Sequence, residues 1–416
     1  MDYLELVNCR LCGGEFSSVE LKMSSTPPAN ELYESQDNAK SCDRFPLILV
    51  LCNTCKHLQL KHIVSPDRLF SNYVYRSGTS SVFREHFQNL ASLIASEVPT
   101  GSKVLEIGSN DGKLLEYLQE NGLEPIGLEP SEVLVTESQN TGLKVHQGFL
   151  DTNFVELFKH EYREADVVVA NNVFAHIADM NQAILDIEEV LAPDGVFIFE
   201  VAHLLSLVKH GYFDTIYHEH MSYHSVFSLK TFLESHGFGL HRVQEISTHG
   251  GSIRVFAKRL PLESAFQNEI NQIISEEVSF GINSERVLGL IGDKIENLTS
   301  MATDVCSTFK GDEFLFGYGA PAKVVTFLSE MKLENLNLQA VIDDNPDKQG
   351  KFLPGSGFPI MSLDAVQQLI SQAKGPVVCF IFPWNLGAEL INKLSQFMPS
   401  GSRAISFFPT LSIKEF

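Results

Sequence analysis

Val104-Leu105-Glu106-Ile107-Gly108-Ser109-Asn110-Asp111-Gly112, the stretch VLEIGSNDG at residues 104–112, decides the reading of this chain. Its first four residues are an apolar run broken by one acid, as in a buried strand, and they lead straight into Gly108 and Gly112. Glycines in such a turn let the backbone approach a ligand at the carboxyl end of the strand, although tight packing alone would also select them. LLEYLQENG (114–122) follows as a helix ending at Gly122, and PIGLEP (125–130) as a second strand. DVVVANNVF (166–174) reads as another strand, AILDIEEVL (183–191) as a helix, and GVFIFEV (195–201) as a strand after the turn Pro193-Asp194-Gly195. GSIRVFAKRL (251–260) closes the unit. Alternation of this kind predicts an α/β fold with a doubly wound parallel sheet.

The E-x-G-x-x-x-G turn of Glu106, Gly108 and Gly112 is followed by Glu129, 21 residues past the first glycine. That is close to the roughly 20 residues at which an acid meets a ribose. The three-glycine pyrophosphate fingerprint is missing, which favours S-adenosylmethionine, a nucleoside without phosphate, over a nicotinamide dinucleotide. The expected cofactor contacts are Glu106, Gly108, Ser109, Asn110, Gly112, Glu129, Pro130 and Asn171.

Upstream, Cys9-x-x-Cys12 and Cys52-x-x-Cys55 are separated by 39 residues and together supply four thiolates for one tetrahedral zinc ion. Four thiolates leave no open position for water or substrate, so the metal is expected to fold a small domain and not to catalyse. Cys42, Cys306 and Cys379 are left over and read as buried small hydrophobes. The 416 residues, 44% hydrophobic and 20% charged, suit two large domains and a smaller one. No run approaches the roughly 18 apolar residues of a membrane span, and MDYLELVNCRLC lacks the features of a signal peptide, so the expected location is the cytosol. A net charge of −21 disfavours a nucleic-acid partner, and no protein partner can be read.

Downstream, DTIYHEHMSYHS (214–225) packs Tyr217, His218, Glu219, His220, Tyr223 and His224 into eight positions, more polar groups than a core requires. Read as a strand, it puts His218 and His220 on one face and Tyr217 and Glu219 on the other, a base with orienting partners nearby. Metal ligation and a solvated histidine loop remain open, although the H-E-x-x-H spacing is absent. His176 of ANNVFAH and the tyrosines Tyr73 and Tyr75 of SNYVYRSGTSS can join the site. From 262 to about 310 the apolar spacing is helical (Ile270, Ile273, Ile274, then Val287, Leu290, Ile291) and predicts a connector. A second alternating unit opens with EFLFGYGAPAK (313–323), where Gly317, Gly319 and Lys323 could hold a phosphate or simply pack a helix on a strand.

Taken together, the four-cysteine module, FPLILVLCNTCKHLQL, LFSNYVYRSGTSS, VLEIGSNDGKLLEYL, GLEPS, YFDTIYHEHMSYHS, GGSIR, GYGAPAK with VIDDNPDKQGKFLPG, and Pro383-Trp384-Asn385 resemble the sugar C-methyltransferase family of deoxysugar biosynthesis. The resemblance covers nearly the whole chain. It implies a zinc module with a substrate-facing segment at 1–80, a class I adenosylmethionine-dependent domain at 81–260, and at 261–416 the connector with a Rossmann-like nucleotide-sugar-binding domain. It implies methyl transfer to a carbon beside the ketone of a nucleotide-linked 4-keto-deoxysugar, thymidine diphosphate being the expected nucleotide. By resemblance His220 is the base, with Tyr217, Glu219, His176 and Tyr75 or Tyr73 as catalytic partners. The tyrosines would stabilise the enolate and Glu219 would orient the histidine. Tyr223, Arg254, Tyr318, Lys323 and Asn385 become substrate-binding candidates. Two other readings are a nicotinamide-dependent nucleotide-sugar epimerase or reductase, which the missing G-x-G-x-x-G disfavours, and a zinc-containing interaction protein, which the acidic balance disfavours.

Overall fold

The alternation around residue 104 builds a seven-stranded sheet in the computed structural model, which describes residues 3–65, 68–69 and 81–416. Its strands are β1 (Lys103–Ile107), β2 (Glu124–Glu129), β3 (Val145–Gln147), β4 (Ala165–Asn171), β5 (Leu191–Ala202), β6 (Phe238–Ile246) and β7 (Ser252–Arg259). They lie in the order β3-β2-β1-β4-β5-β7-β6; the first five are parallel and β7 runs antiparallel to both of its neighbours. β7 therefore does not close the sheet at its edge, as the sequence suggests, but is inserted between β5 and β6. Six of its eight residues are buried accordingly.

Along β4, Val167 and Val169 join the core on one face while Val168 and Ala170 join the core on the other, the two-residue alternation of a strand covered on both sides. The order reverses between β1 and β4. This is the switch point at whose carboxyl side an open α/β sheet binds its ligands.

The small domain is an antiparallel sheet of Phe16–Thr26, Phe45–Cys52 and Leu58–Leu60, and its fourth strand, Ser222–Tyr223, comes from the histidine-rich block. The sequence gives no hint of that pairing. The C-terminal sheet has the order Ile360–Met361, Leu338–Ile342, Phe314–Tyr318, Val377–Ile381, Arg403–Ser406, Ser412–Glu415, parallel except for the last strand. Helices Gln267–Phe280 and Arg286–Ser307 connect the two large sheets. The second helix buries Val287, Leu288, Ile291, Leu298, Ala302 and Val305 in a core shared with Leu47 and Leu49 of the small sheet and Val324 of the C-terminal unit. The period of 3.6 explains the stripe, and the stripe joins the small sheet to the C-terminal unit. Of the three unpaired cysteines only Cys379 is fully buried; Cys42 and Cys306 are half-buried. No helix among the described residues is long and apolar enough to cross a membrane.

Candidate active site

Residues from the small domain, both large sheets and the histidine-rich block surround one cavity of about 1270 Å³. A single small-molecule site occupies roughly 300–1,000 Å³, so there is room for a cofactor and a second ligand together.

At the switch-point end, Gly108 has φ 69 and approaches the loop after β4 so closely that a Cβ would lie 2.6 Å from Val173. Glu129, at the end of β2, accepts the backbone N–H groups of Asn110 (2.9 Å) and Ser131 (3.0 Å) and so fixes the turn. Glu106, Ser109 and Asn171 bring buried side-chain oxygens or nitrogens to the cavity with no hydrogen-bond partner among the described residues. Burial, followed by the charges of Asp111 and Glu129, drives the Glu106 carboxyl well above the usual carboxylate range. Such groups are costly unless a polar ligand meets them, and an amino acid joined to a nucleoside supplies the ammonium, carboxylate and diol to do so. The donor set fits adenosylmethionine. Pro130 and Asn110 also line this end, but Gly112 does not: it starts the helix Lys113–Glu120, and a Cβ there would strike Leu143 and Ser138. Phe149, half exposed beside Gly148 just past β3, also lines the wall with Leu150; two apolar residues after a glycine gave no sequence signal for a ligand contact.

At the other end, residues 217–220 of the histidine-rich block form a turn and not a strand, because the His220 N–H bonds back to Tyr217 O at 2.9 Å. The expected facing of His218 with His220 is therefore corrected. Tyr217 and His220 meet instead, hydroxyl to Nε2 at 2.8 Å with ring centroids 4.1 Å apart, while His218 turns away to the small domain and contacts Thr26 O at 3.0 Å. His220 Nδ1 lies 2.8 Å from the carbonyl of Thr215. Since a carbonyl only accepts, Nδ1 carries the proton and Nε2 keeps its lone pair. Burial, then the nearby His176, holds the His220 pKa well below the usual histidine value. His176 Nδ1 bonds the backbone carbonyl of Glu219 at 2.7 Å, and burial lowers its pKa to about 4.

The Glu219 carboxylate does not touch His220. It faces the backbone and side-chain N–H groups of Asn30 at 3.4 and 3.3 Å, off the cavity wall, with its pKa pushed up to about 7 by burial. Its contribution near the site is a main-chain carbonyl, which no pattern of side chains reveals. Tyr73 and Tyr75 lie outside the described residues. Tyr223 lines the cavity with its hydroxyl buried near the Tyr217 backbone. Arg254 is not on the wall: its guanidinium donates to Glu200 at 2.6 Å, and Glu200 also takes His86 at 2.7 Å.

The C-terminal unit supplies Tyr318, Lys323 and Asn385 to the wall. Lys323 lies 3.9 Å over the Trp384 ring and donates to Asn385 Oδ1 at 2.8 Å; burial lowers its pKa to about 8. Trp384 stacks on Tyr212 at 3.9 Å and donates its indole N–H to Asp214 at 2.7 Å, so this unit grips the loop that carries Thr215 and His220. Gly317 and Gly319 are needed for packing, since a Cβ on either would come within 2.5 Å of Phe382 or Pro383.

The four Sγ atoms of Cys9, Cys12, Cys52 and Cys55 lie within 4.8 Å of one another, with Cys9–Cys55 at 3.6 Å and Cys12–Cys52 at 3.4 Å. A tetrahedron with zinc–sulfur bonds near 2.3 Å has edges of about 3.8 Å. Backbone N–H groups of Leu11, Thr54 and Cys55 point at these sulfurs, as they do toward thiolates. From inside the first cysteine pair, Arg10 donates to the carbonyls of Ile177 and Ala178 at 2.6 Å each and to Ser222 Oγ at 3.2 Å. It thus ties the zinc knuckle to the loop after His176 and to the strand after His220.

Three family models match the chain: a zinc binding domain over residues 9–70, a methyltransferase domain over 80–243, and a C-methyltransferase C-terminal domain over 247–409. The C-methyltransferase NovU of Streptomyces niveus is 32% identical over 406 residues, 96% of this chain and 95% of that one. The mitochondrial ubiquinone biosynthesis O-methyltransferase of Bos taurus is 30% identical over 26% of this chain and 31% of its own. Among solved structures, the magnesium protoporphyrin IX methyltransferase of Synechocystis PCC 6803 with bound SAM matches 42% of this chain and 79% of its own at 19% identity and a TM-score of 0.32. The chain is an S-adenosylmethionine-dependent C-methyltransferase with a zinc-binding module, and it belongs to the sugar C-methyltransferase family that its motif blocks resemble.

Proposed function

We propose that the enzyme methylates the carbon beside the ketone of a thymidine-diphosphate 4-keto-deoxysugar, with His220 as the base, and that it works in the cytoplasm. The observation that carries this reading is the His220 tautomer. A C–H next to a carbonyl becomes a nucleophile only after it loses its proton, and a neutral imidazole in the cavity wall, its unprotonated Nε2 held by the Tyr217 hydroxyl until the acceptor replaces it, is suited to take it. Tyr217 lies at hydrogen-bond distance from that nitrogen and can pass its hydroxyl to the enolate oxygen as charge develops there. His176 and Tyr223 close the same end of the cavity, and Tyr73 or Tyr75 is proposed to join them. When bound at the switch point among Glu106, Gly108, Ser109, Asn110, Glu129, Pro130, Asn171 and Phe149, adenosylmethionine supplies the electrophilic methyl group.

Lys323, desolvated over an aromatic ring, is proposed to meet the diphosphate, a role its cation in the cavity wall supports, with Tyr318 and Asn385 lining the same wall. Arg254 and Glu219 are proposed to act through other groups, Arg254 through Glu200 and Glu219 through its carbonyl on His176. The division into 1–80, 81–260 and 261–416 is kept as a proposal, with Ser222–Tyr223 crossing it. Incubation with adenosylmethionine and a panel of thymidine-diphosphate 4-keto-deoxysugars, read by mass spectrometry, should show one added methyl on one member. Methyl transfer only to oxygen or nitrogen acceptors would refute the reading.

A further inference from the structure

Before strand β7 the chain makes a turn, Thr248–Gly250, that holds an imidazole with no part in the site described so far. His249 has φ 54 and ψ 21, a left-handed backbone that a residue with a Cβ adopts only when its surroundings impose it. They do so here. Gly250 and Gly251 continue with φ 87 and 124; a Cβ on Gly250 would lie 2.4 Å from Trp384 and 2.7 Å from Tyr212, and one on Gly251 2.5 Å from Ser206. The turn is wedged between the loop of His220 and the tryptophan of the C-terminal unit, and the result is to hold His249 in the cavity wall.

Four imidazoles line that wall, those of His176, His203, His220 and His249. His176 is bonded to Glu219, His203 to Glu277, and His220 at both nitrogens. His249 has no hydrogen bond to the described residues; its ring only rests against Phe83, centroids 4.9 Å apart. Burial, with Lys323 nearby, lowers its pKa to about 4, so at neutral pH it offers one N–H and one lone pair. A strained backbone that presents polar atoms without a partner among the described residues to a ligand cavity points to a ligand contact.

We propose that His249 contacts the acceptor, donating its ring N–H to an oxygen of the sugar, either the keto oxygen or a neighbouring hydroxyl. His220 meets the acceptor with a lone pair and cannot donate before it has taken the proton, so an oxygen that gains negative charge needs donors from elsewhere on the wall. Tyr217 is one, and His249 is a second. This assignment rests on the keto-sugar reading and makes it more specific.

The test uses His249→Phe, which keeps a ring against Phe83 but removes both polar atoms, and His249→Asn, which tolerates the left-handed backbone and keeps an N–H. With the panel member that the wild-type enzyme methylates, His249→Phe should lower kcat/KM for the sugar about tenfold. Its adenosylmethionine Kd should stay within twofold and its Tm within a few degrees, and His249→Asn should recover part of the loss. A His249→Phe enzyme with wild-type kcat/KM overturns the assignment, as does a loss that adenosylmethionine affinity and Tm share. If the wild type methylates no member of the panel, the keto-sugar reading fails first and takes this assignment with it.

Discussion

His220 is held from both sides by groups with different tasks. The Thr215 carbonyl fixes the tautomer, and the Tyr217 hydroxyl occupies the nitrogen that would take the substrate proton. Tyr217→Phe leaves the proposed base in place but removes the proposed donor for the enolate oxygen, so kcat should fall about 10²-fold with adenosylmethionine affinity unchanged. Because burial holds the His220 pKa below the ordinary range, the imidazole is already neutral at pH 6.5. A kcat/KM profile should therefore stay flat through pH 6.5 and bend only at lower pH. An acid limb centred on 6.5 would show that the base is not desolvated in this way. Lys323, with its pKa lowered to about 8, loses its charge as pH rises through 8. A fall of kcat/KM above pH 8 should follow, and Lys323→Met should abolish that limb. Persistence of the limb in Lys323→Met would assign it to another group.

At the scale of elements, the sequence was most readable where chemistry and periodicity coincide. Two Cys-x-x-Cys pairs announce a zinc knuckle, an apolar run ending in glycine announces β1 with its ligand-side turn, and a second apolar run ending in Glu129 announces β2. What the sequence hides is how the elements are joined. The pairing of Ser222–Tyr223 with Leu58–Leu60 depends on partners more than 160 residues away, and Arg10 looks like any exposed basic residue until its guanidinium is seen between Ile177, Ala178 and Ser222. The block at 217–220 misled for a related reason. Alternating His and Glu suggest a strand, but the backbone bond from His220 to Tyr217 makes a turn that pairs residues three apart. Arg10→Met should cost about 1–3 kcal/mol, since three charge-assisted bonds disappear from a half-buried site. Zinc content should stay at one per chain, while kcat falls at least tenfold and adenosylmethionine binding persists. Wild-type turnover in Arg10→Met would mean that the knuckle does not position the catalytic loops.

Across the whole molecule the units share their cores. One cluster runs from Leu47 and Leu49 through Val287 and Ile291 to Val324 and Phe380, and a second joins Cys9 and Cys52 to Phe197 and Phe199 of the central sheet. Calorimetry of the zinc-loaded protein should give one unfolding transition; separate transitions for the C-terminal unit would contradict this coupling. The shared cavity follows from the same packing, because its walls come from sheets that composition alone would assign to independent domains. The central claim is that His220 turns a carbon beside a ketone into a nucleophile, and the most direct measurement is proton exchange without a methyl donor. In heavy water, the wild-type enzyme should place one deuterium on that carbon of the thymidine-diphosphate 4-keto-deoxysugar, and His220→Asn should slow the exchange by about 10²–10⁴-fold while still binding adenosylmethionine. Exchange at the wild-type rate in His220→Asn would contradict the claim.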